Sequence, residues 1–213
     1  FTELEFYWAY ADYKDMMKLT EQLIAYVAKQ VVGKTKITYE GKEIDFKTPW
    51  PRVEYDVLLR KYANIDIAKE NREAVAKKAK ELDVQVDPAA SKARIIDEIY
   101  KKYCRPKIWE PTFVIHHPTG SIPLAKQLDD DPTKLGTIQL LLGGGWELVK
   151  AYSELNDPIA QRKAFEEQEG LFRKGLADAQ RMDTDFLEAL EYGMPPTAGF
   201  GMGIDRLVAL LTN

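Results

Sequence analysis

The sequence is poor in the residues that most often hold metals or staple small folds. It has one cysteine, Cys104, and two histidines, His116 and His117, in 213 residues. A lone cysteine excludes an internal disulfide and suits a reducing compartment. The histidines are adjacent, and neighbours on a strand point to opposite faces, so they cannot chelate one ion from one side. With no Cys-x-x-Cys or His-x₃-His partner, a zinc site is not expected. Charge of one sign is lacking too: 30 basic against 34 acidic residues leave −4. That balance excludes a general attraction to nucleic acid, so any such contact must come from a local patch. No apolar run approaches the ~20 residues that span a bilayer. No charged-then-apolar leader precedes Phe1, and a cytoplasmic location is expected. GxxxxGK[ST] and strand-linked GxGxxG phosphate loops are also missing.

Apolar residues make up 45% of the chain, enough for a buried core. The chain lacks an initiator methionine and stops behind an apolar helical run, so a segment of something longer is expected. "FTELEFYWAY" (1–10) reads as a strand dressed on both faces. From Asp12 to Val32, Met16, Leu19, Leu23 and Val27 recur at helical steps before Gly33, which predicts an amphipathic helix. "KITYEGKEIDF" predicts a hairpin turning at Glu40-Gly41, with Ile37 and Tyr39 against Ile44 and Phe46.

Residues 55–105 change in texture to charged, alanine-rich helices and read as a small helical insertion. One of these helices is expected to start at Asp87-Pro88. The lysines and arginines of this block are expected to form a solvated face. Strand character returns at Thr112 to His116 and in "GTIQLLLGGGWELVKAYSEL". Asp157-Pro158 and Asp183 predict two further helix starts, the second helix ending at Gly193. Strands and helices do not alternate regularly, which favours an antiparallel sheet with packed helices, an α+β fold.

The most informative stretch is "GMPPTAGFGMGIDRLVALL", with Gly199, Gly201 and Gly203 at every second position and Arg206 beyond. Residues i, i+2 and i+4 share one strand face, so these glycines bare one side of the backbone to a flat ligand. Arg206 could stack on a ring or fork onto phosphate, helped by the helix N-terminus. Equally, the glycines could serve tight helix–sheet packing, with Arg206 paired to an acid such as Asp205.

"AGFGMGIDRL" resembles motif 3 of the class II aminoacyl-tRNA synthetases, whose arginine stacks on the adenine of ATP. "FTELEFYWAYADYKDMM" is similar to the strand that ends motif 2 in lysyl-tRNA synthetases, and "AYSELNDPIAQRKAFEEQ" to their lysine-pocket segment. The matching stretches keep the family's order across essentially the whole chain. The resemblance implies that residues 1–213 are part of a class II catalytic domain, with 55–105 inserted in it. It implies ATP-dependent activation of lysine to lysyl-adenylate, then transfer to tRNA(Lys), without a nucleophilic or basic side chain. Mg²⁺ would accompany ATP, and the full-length family is homodimeric.

Residue by residue, the resemblance assigns Phe1, Gly201 and Arg206 to ATP, with Phe1 and Arg206 on either face of adenine. Glu154 and Tyr7 would hold the lysine ammonium, Glu5 would add negative charge, Tyr152 would wall the stem, and Gly203 completes the lysine set. Glu147 falls on an acidic residue for Mg²⁺. Four features depart from the pattern. The motif 2 arginine would precede Phe1. Motif 1 and the anticodon-binding barrel are missing. Leu140 replaces a second magnesium glutamate in the ungapped alignment, and Lys150 stands where the family has an asparagine contacting substrate. "HHPTGSIPLAK" also differs from the usual "ISPLAK". Activity is therefore expected to need the missing motif 1 and motif 2 portion or a second subunit. Two alternatives stay open: a synthetase-like module that binds lysine or ATP without aminoacylation, and a relative that lysylates elongation factor P.

Overall fold

The computed structural model describes residues 1–88, 90–173 and 181–212. The chain opens with strand β1 (Glu3–Ala9) and helix α1 (Tyr13–Val32). A small two-stranded hairpin follows, β2 (Lys36–Tyr39) and β3 (Lys42–Asp45), then the short strand β4 (Arg52–Glu54). Helices α2 (Tyr55–Ala63), α3 (Arg72–Glu81) and α4 (Lys92–Ile99) come next, the last running into a π-helical turn at Tyr100–Cys104. Strands β5 (Thr112–Ile115), β6 (Thr137–Leu142) and β7 (Trp146–Ser153) lead to α5 (Pro158–Arg173) and α6 (Thr184–Tyr192). The glycine strand β8 (Thr197–Gly203) and α7 (Ile204–Thr212) complete the described elements. No helix among them is long and apolar enough to cross a membrane.

Six strands form one sheet in the order β1-β8-β7-β6-β5-β4. Its neighbours are antiparallel except β4 and β5, which run parallel at one edge. The antiparallel expectation is corrected there. β4 and β5 are separated by the helices of 55–107, a connection long enough to bring the chain back in the same direction.

One face of the sheet is apolar. Phe200 and Met202 of β8, Val149 and Ala151 of β7, and Ile138 and Leu140 of β6 pack with Met16, Ile24 and Leu207 from α1 and α7. Each such side chain contributes roughly 1.5–3 kcal/mol by leaving water. α1 begins with a capping box: the Asp12 carboxylate accepts from Lys14 N and Asp15 N, and Asp15 Oδ2 accepts from Asp12 N. It ends at Gly33 in the left-handed conformation. Its buried stripe is centred on Met16, Met17, Thr20, Ile24 and Ala28, whereas Leu19, Leu23 and Val27 are only partly buried. The expected stripe is therefore rotated toward the flank, because Thr20 and Glu21 are buried as well. Thr20 donates to Met16 O, and Glu21 accepts from Trp50 N and Arg52.

The hairpin turns at Glu40-Gly41, both with positive φ, and pairs Ile37 with Ile44. Phe46 lies just beyond it and joins the core. Residues 55–107 build a second apolar core around Leu59, Ile65, Val75, Ile95 and Ile99, which meets the sheet at Val114 and Leu141. Here the expected start at Asp87 is corrected: Ser91 caps α4, its Oγ accepting from Arg94 N at 3.2 Å. Ala89 of that stretch lies outside the described residues. Asp157 and Asp183 do cap α5 and α6, accepting from Ile159 N at 2.8 Å and Phe186 N at 2.9 Å. β5 stops at Ile115, one residue short of expectation, because His116 turns the chain with φ 60°. The two histidines thus have separate partners. His116 lies between Tyr13 Oη and Glu54, and buried His117 has Nδ1 3.0 Å from Thr137 Oγ1.

Candidate active site

Strand register gathers the polar groups on the face opposite the apolar one. Tyr7 and Tyr152 flank Gly199, while Glu5 and Lys150 flank Gly201. Glu3 is paired with Gly203, and Gln139 of β6 continues the row beyond Lys150. This face carries the cavities where the resemblance places substrates.

The smaller cavity, about 190 Å³, is lined by Glu5, Tyr7, Tyr152 and Glu154. Glu154 follows β7 and is only 7% exposed. Among the described residues its carboxylate has no hydrogen bond or ion pair. Burial pushes it up to about 8. A buried acid without a partner is costly unless a cation arrives. Tyr152 is pushed up by burial and then by Glu154, and Tyr7 likewise, with Glu5 adding a smaller contribution. Neither phenol ionises near neutrality, so both present hydroxyls to whatever Glu154 holds. Glu154 and Tyr7, which the resemblance assigns to the ammonium, line this cavity together with Glu5 and Tyr152, assigned to added charge and to the stem.

The neighbouring cavity, about 420 Å³, is lined by Phe1, Thr2, Glu3, Glu147, Lys150, Gly201, Gly203 and Arg206, among others. Arg206 is exposed on the first turn of α7 and donates from Nη1 to Glu147 O. Asp205 instead accepts from Thr2 N at 2.6 Å, so the Asp205–Arg206 pair considered from sequence does not form. Phe1 is fully exposed at the rim and stacks on no protein ring among the described residues. Gly203, assigned to the lysine set by the resemblance, lines this cavity and not the smaller one, and the Arg206 stem lies where its side chain would be, 3.3 Å from an added Cβ.

A third cavity, about 580 Å³, lies between α4, β6, β7 and the loop at Gly120–Pro123. On its wall Tyr100 Oη donates to Gln139 Oε1 at 2.6 Å, and Gln139 Nε2 donates to Glu147 Oε2 at 2.6 Å. Arg105 Nη1 approaches the same oxygen at 3.3 Å, while its other nitrogens donate to Gly145 O. Position 145 must be glycine: φ is +98°, and a Cβ would lie 2.6 Å from the Arg105 backbone.

Leu140 takes no part in this network. Leu140 is fully buried in the apolar core. A register shift pairs Leu140 with Val149 and Leu141 with Glu147, which leaves Leu148 of β7 as the extra, unpaired residue. Across the ladder Glu147 pairs with Leu141, and its carboxylate accepts from Gln139 Nε2. Sequence reading missed Gln139, Tyr100 and Arg105, whose meeting depends on contacts between segments distant in the chain. No group of three or more His, Cys, Asp or Glu among the described residues could cage a metal. The donor set fits magnesium only as nucleotides carry it, with one carboxylate and phosphate oxygens. Glu147 Oε1, which neither Gln139 nor Arg105 engages, suits that role.

Residues 1–213 match the family described as tRNA synthetases class II (D, K and N), and the chain belongs to that family. Its six-stranded sheet flanked by helices is the corresponding catalytic-domain architecture. The chain is 45% identical over 213 residues to the lysine–tRNA ligase of Fervidobacterium nodosum, covering 41% of that protein. It is 44% identical over 216 residues to that of Pelotomaculum thermopropionicum and 43% over 213 to that of Thermotoga maritima, covering 42% of each. The match takes in all of this chain but about two fifths of those relatives.

Proposed function

We propose that this chain is the part of a lysine–tRNA ligase catalytic domain that selects lysine and seats the adenine of ATP. The observation that carries this reading is the buried, unpartnered Glu154 carboxylate, walled by Tyr7 and Tyr152. Lysine's ammonium completes that pocket, and an uncharged side chain would leave the acid unpaired, which is a strong basis for rejection. Glu5 adds negative charge at the entrance, and Tyr152 lines the stem.

The adenine lies over Gly201 and Gly203, against the Arg206 guanidinium, with Phe1 closing the outer side. The lysine carboxylate then attacks the α-phosphorus, forming lysyl-adenylate and releasing pyrophosphate. The ribose hydroxyl at the end of tRNA(Lys) takes up the lysyl group. Positioning and charge neutralisation carry the chemistry. Glu147 is the residue that would hold the magnesium accompanying ATP, whose charge would offset that of the phosphates. In a full-length cytoplasmic homodimer, the motif 1 and motif 2 portion supplies the remaining phosphate contacts.

A second reading rests on Leu140 and Arg105. With Leu140 where the resemblance calls for a second carboxylate, and Arg105 on Glu147, a module that binds lysine and ATP without aminoacylation is favoured over the elongation factor P lysylating relative. Lysine-dependent ATP–pyrophosphate exchange separates the readings, run on the chain alone and mixed with a segment bearing motifs 1 and 2. Exchange in the mixture supports the ligase. Lysine binding without exchange supports the module.

A further inference from the structure

With no hydrogen bond on its carboxylate among the described residues, Glu154 is aimed by its backbone. That backbone is fixed by Glu154 N on Thr197 O at 2.8 Å and by the residue before it. Ser153 is held on three sides. Its N donates to Gly136 O at 2.8 Å, its O accepts from Lys126 N at 2.8 Å, and its Oγ accepts from Tyr13 N at 3.1 Å. The Tyr13 ring packs at the same place: a Cβ at Gly136 would lie 3.1 Å from Tyr13 Cδ1 and 3.4 Å from Ser153 Oγ.

Tyr13 is fixed in turn from its far end. Its hydroxyl lies 3.1 Å from His116 Nε2, and His116 Nδ1 lies 3.3 Å from Glu54 Oε1. The other Glu54 oxygen accepts from Lys134 Nζ at 2.8 Å. Lys134, and after it His116, hold the Glu54 carboxyl below its usual range, so it is ionised and can only accept. His116 therefore donates from Nδ1, and as the neutral ring it accepts from the Tyr13 hydroxyl at Nε2. These contacts join the end of β4, the turn after β5 and the start of α1 to the end of β7.

We infer that His116 is a positioning residue for the amino-acid pocket: carried by Glu54, it fixes Tyr13 against Ser153 and so aims Glu154 into the smaller cavity. This inference rests on the proposed lysine pocket. His116 lines none of the three cavities, so it acts through Tyr13 and not on the ligand.

Calorimetry with L-lysine and with ATP tests this on the unmodified chain, His116→Leu, His116→Gln, Tyr13→Phe and the double variant of Tyr13→Phe with His116→Leu. His116→Leu and Tyr13→Phe should each weaken lysine binding about threefold to tenfold, the scale of one hydrogen bond, and leave ATP affinity within about twofold. His116→Gln, whose amide can still donate to Glu54 and accept from Tyr13, should retain most of the lysine affinity. The double variant should lose no more than the larger single loss, because both changes break the same link. Lysine affinity unchanged in both single variants, with only stability in urea lowered, would overturn the inference and leave the pocket intact. Equal losses of lysine and ATP, or a double loss equal to the product of the single ones, would overturn it as well. Failure of the unmodified chain to bind lysine would overturn the pocket itself, and this inference with it. Should His116→Leu not fold, Tyr13→Phe, which keeps the ring, decides: unchanged lysine affinity there overturns the positioning role.

Discussion

The Glu154 carboxylate fills the space that a side chain at position 199 would need: a Cβ there would lie 1.9 Å from Oε1. The glycine at 199 is therefore a socket for a protein acid, while Gly201 faces the opening between two cavities. At Gly201 an added Cβ meets the far end of Glu3 at 3.2 Å and Lys150 O at an ordinary contact of 3.8 Å.

That difference separates two alanine substitutions. Gly199→Ala should lower stability by about 1–3 kcal/mol, as overpacking does, and abolish detectable lysine binding by displacing the carboxylate. Gly201→Ala should fold within about 0.5 kcal/mol of the parent and lose nucleotide binding in preference to lysine binding. Urea melts and calorimetry check both.

Glu154 also gives stability a pH dependence. Burial raises its folded-state value from 4.5 to about 8, so the folded chain holds this proton more tightly than the unfolded chain. The stability it contributes is fully present below the unfolded value and is lost as pH rises toward the folded one. Urea melts at pH 5 and pH 8 should show stability falling across that window, and Glu154→Gln should remove this part of the fall. An unchanged slope in the variant would exclude Glu154 as its source.

Arg206 is expected to act on the nucleotide alone. It is exposed, and among the described residues its one hydrogen bond is to Glu147 O. Arg206→Ala should weaken ATP binding by about tenfold, the scale of one cation–π or stacking contact. It should leave lysine affinity within twofold, since Arg206 does not line the smaller cavity. Equal losses of both ligands would show a structural role instead.

The Tyr100–Gln139–Glu147 chain should couple the helical block to the site. Gln139→Leu leaves a buried hydroxyl and a carboxylate oxygen short of a partner and should cost about 1–3 kcal/mol. Tyr100→Phe should cost less. A double-mutant cycle between them should show a coupling of about 0.5 kcal/mol or more. Strict additivity would mean that the helical block does not hold Glu147 through Gln139.

Local chemistry was legible in the sequence where neighbours along the chain decide the outcome. Asp157 and Asp183 cap helices because their own next residues supply the donors, and Glu40-Gly41 turns because both accept positive φ. The alternating glycines revealed the face they bare, and the family resemblance brought Glu5, Tyr7, Tyr152 and Glu154 to one pocket. What stayed hidden depends on distant partners. The parallel β4–β5 edge follows from where a long connection returns the chain. Ser91 prevails over Asp87 as a cap because the second core fixes where α4 begins. The buried face of α1 is turned by partners for Thr20 and Glu21 elsewhere in the fold. The hydrogen bond from Gln139 to Glu147 joins two strands and was not legible at either residue alone.

The most direct measurement is the proton balance of lysine binding at pH 7, from calorimetry in buffers of differing ionisation enthalpy, with norleucine as the uncharged control. Because Glu154 is largely protonated below about 8, lysine binding should release close to one proton, norleucine should not bind, and Glu154→Gln should abolish the release. Norleucine binding as well as lysine, or lysine binding with no proton release and no dependence on Glu154, would contradict a pocket built around that acid.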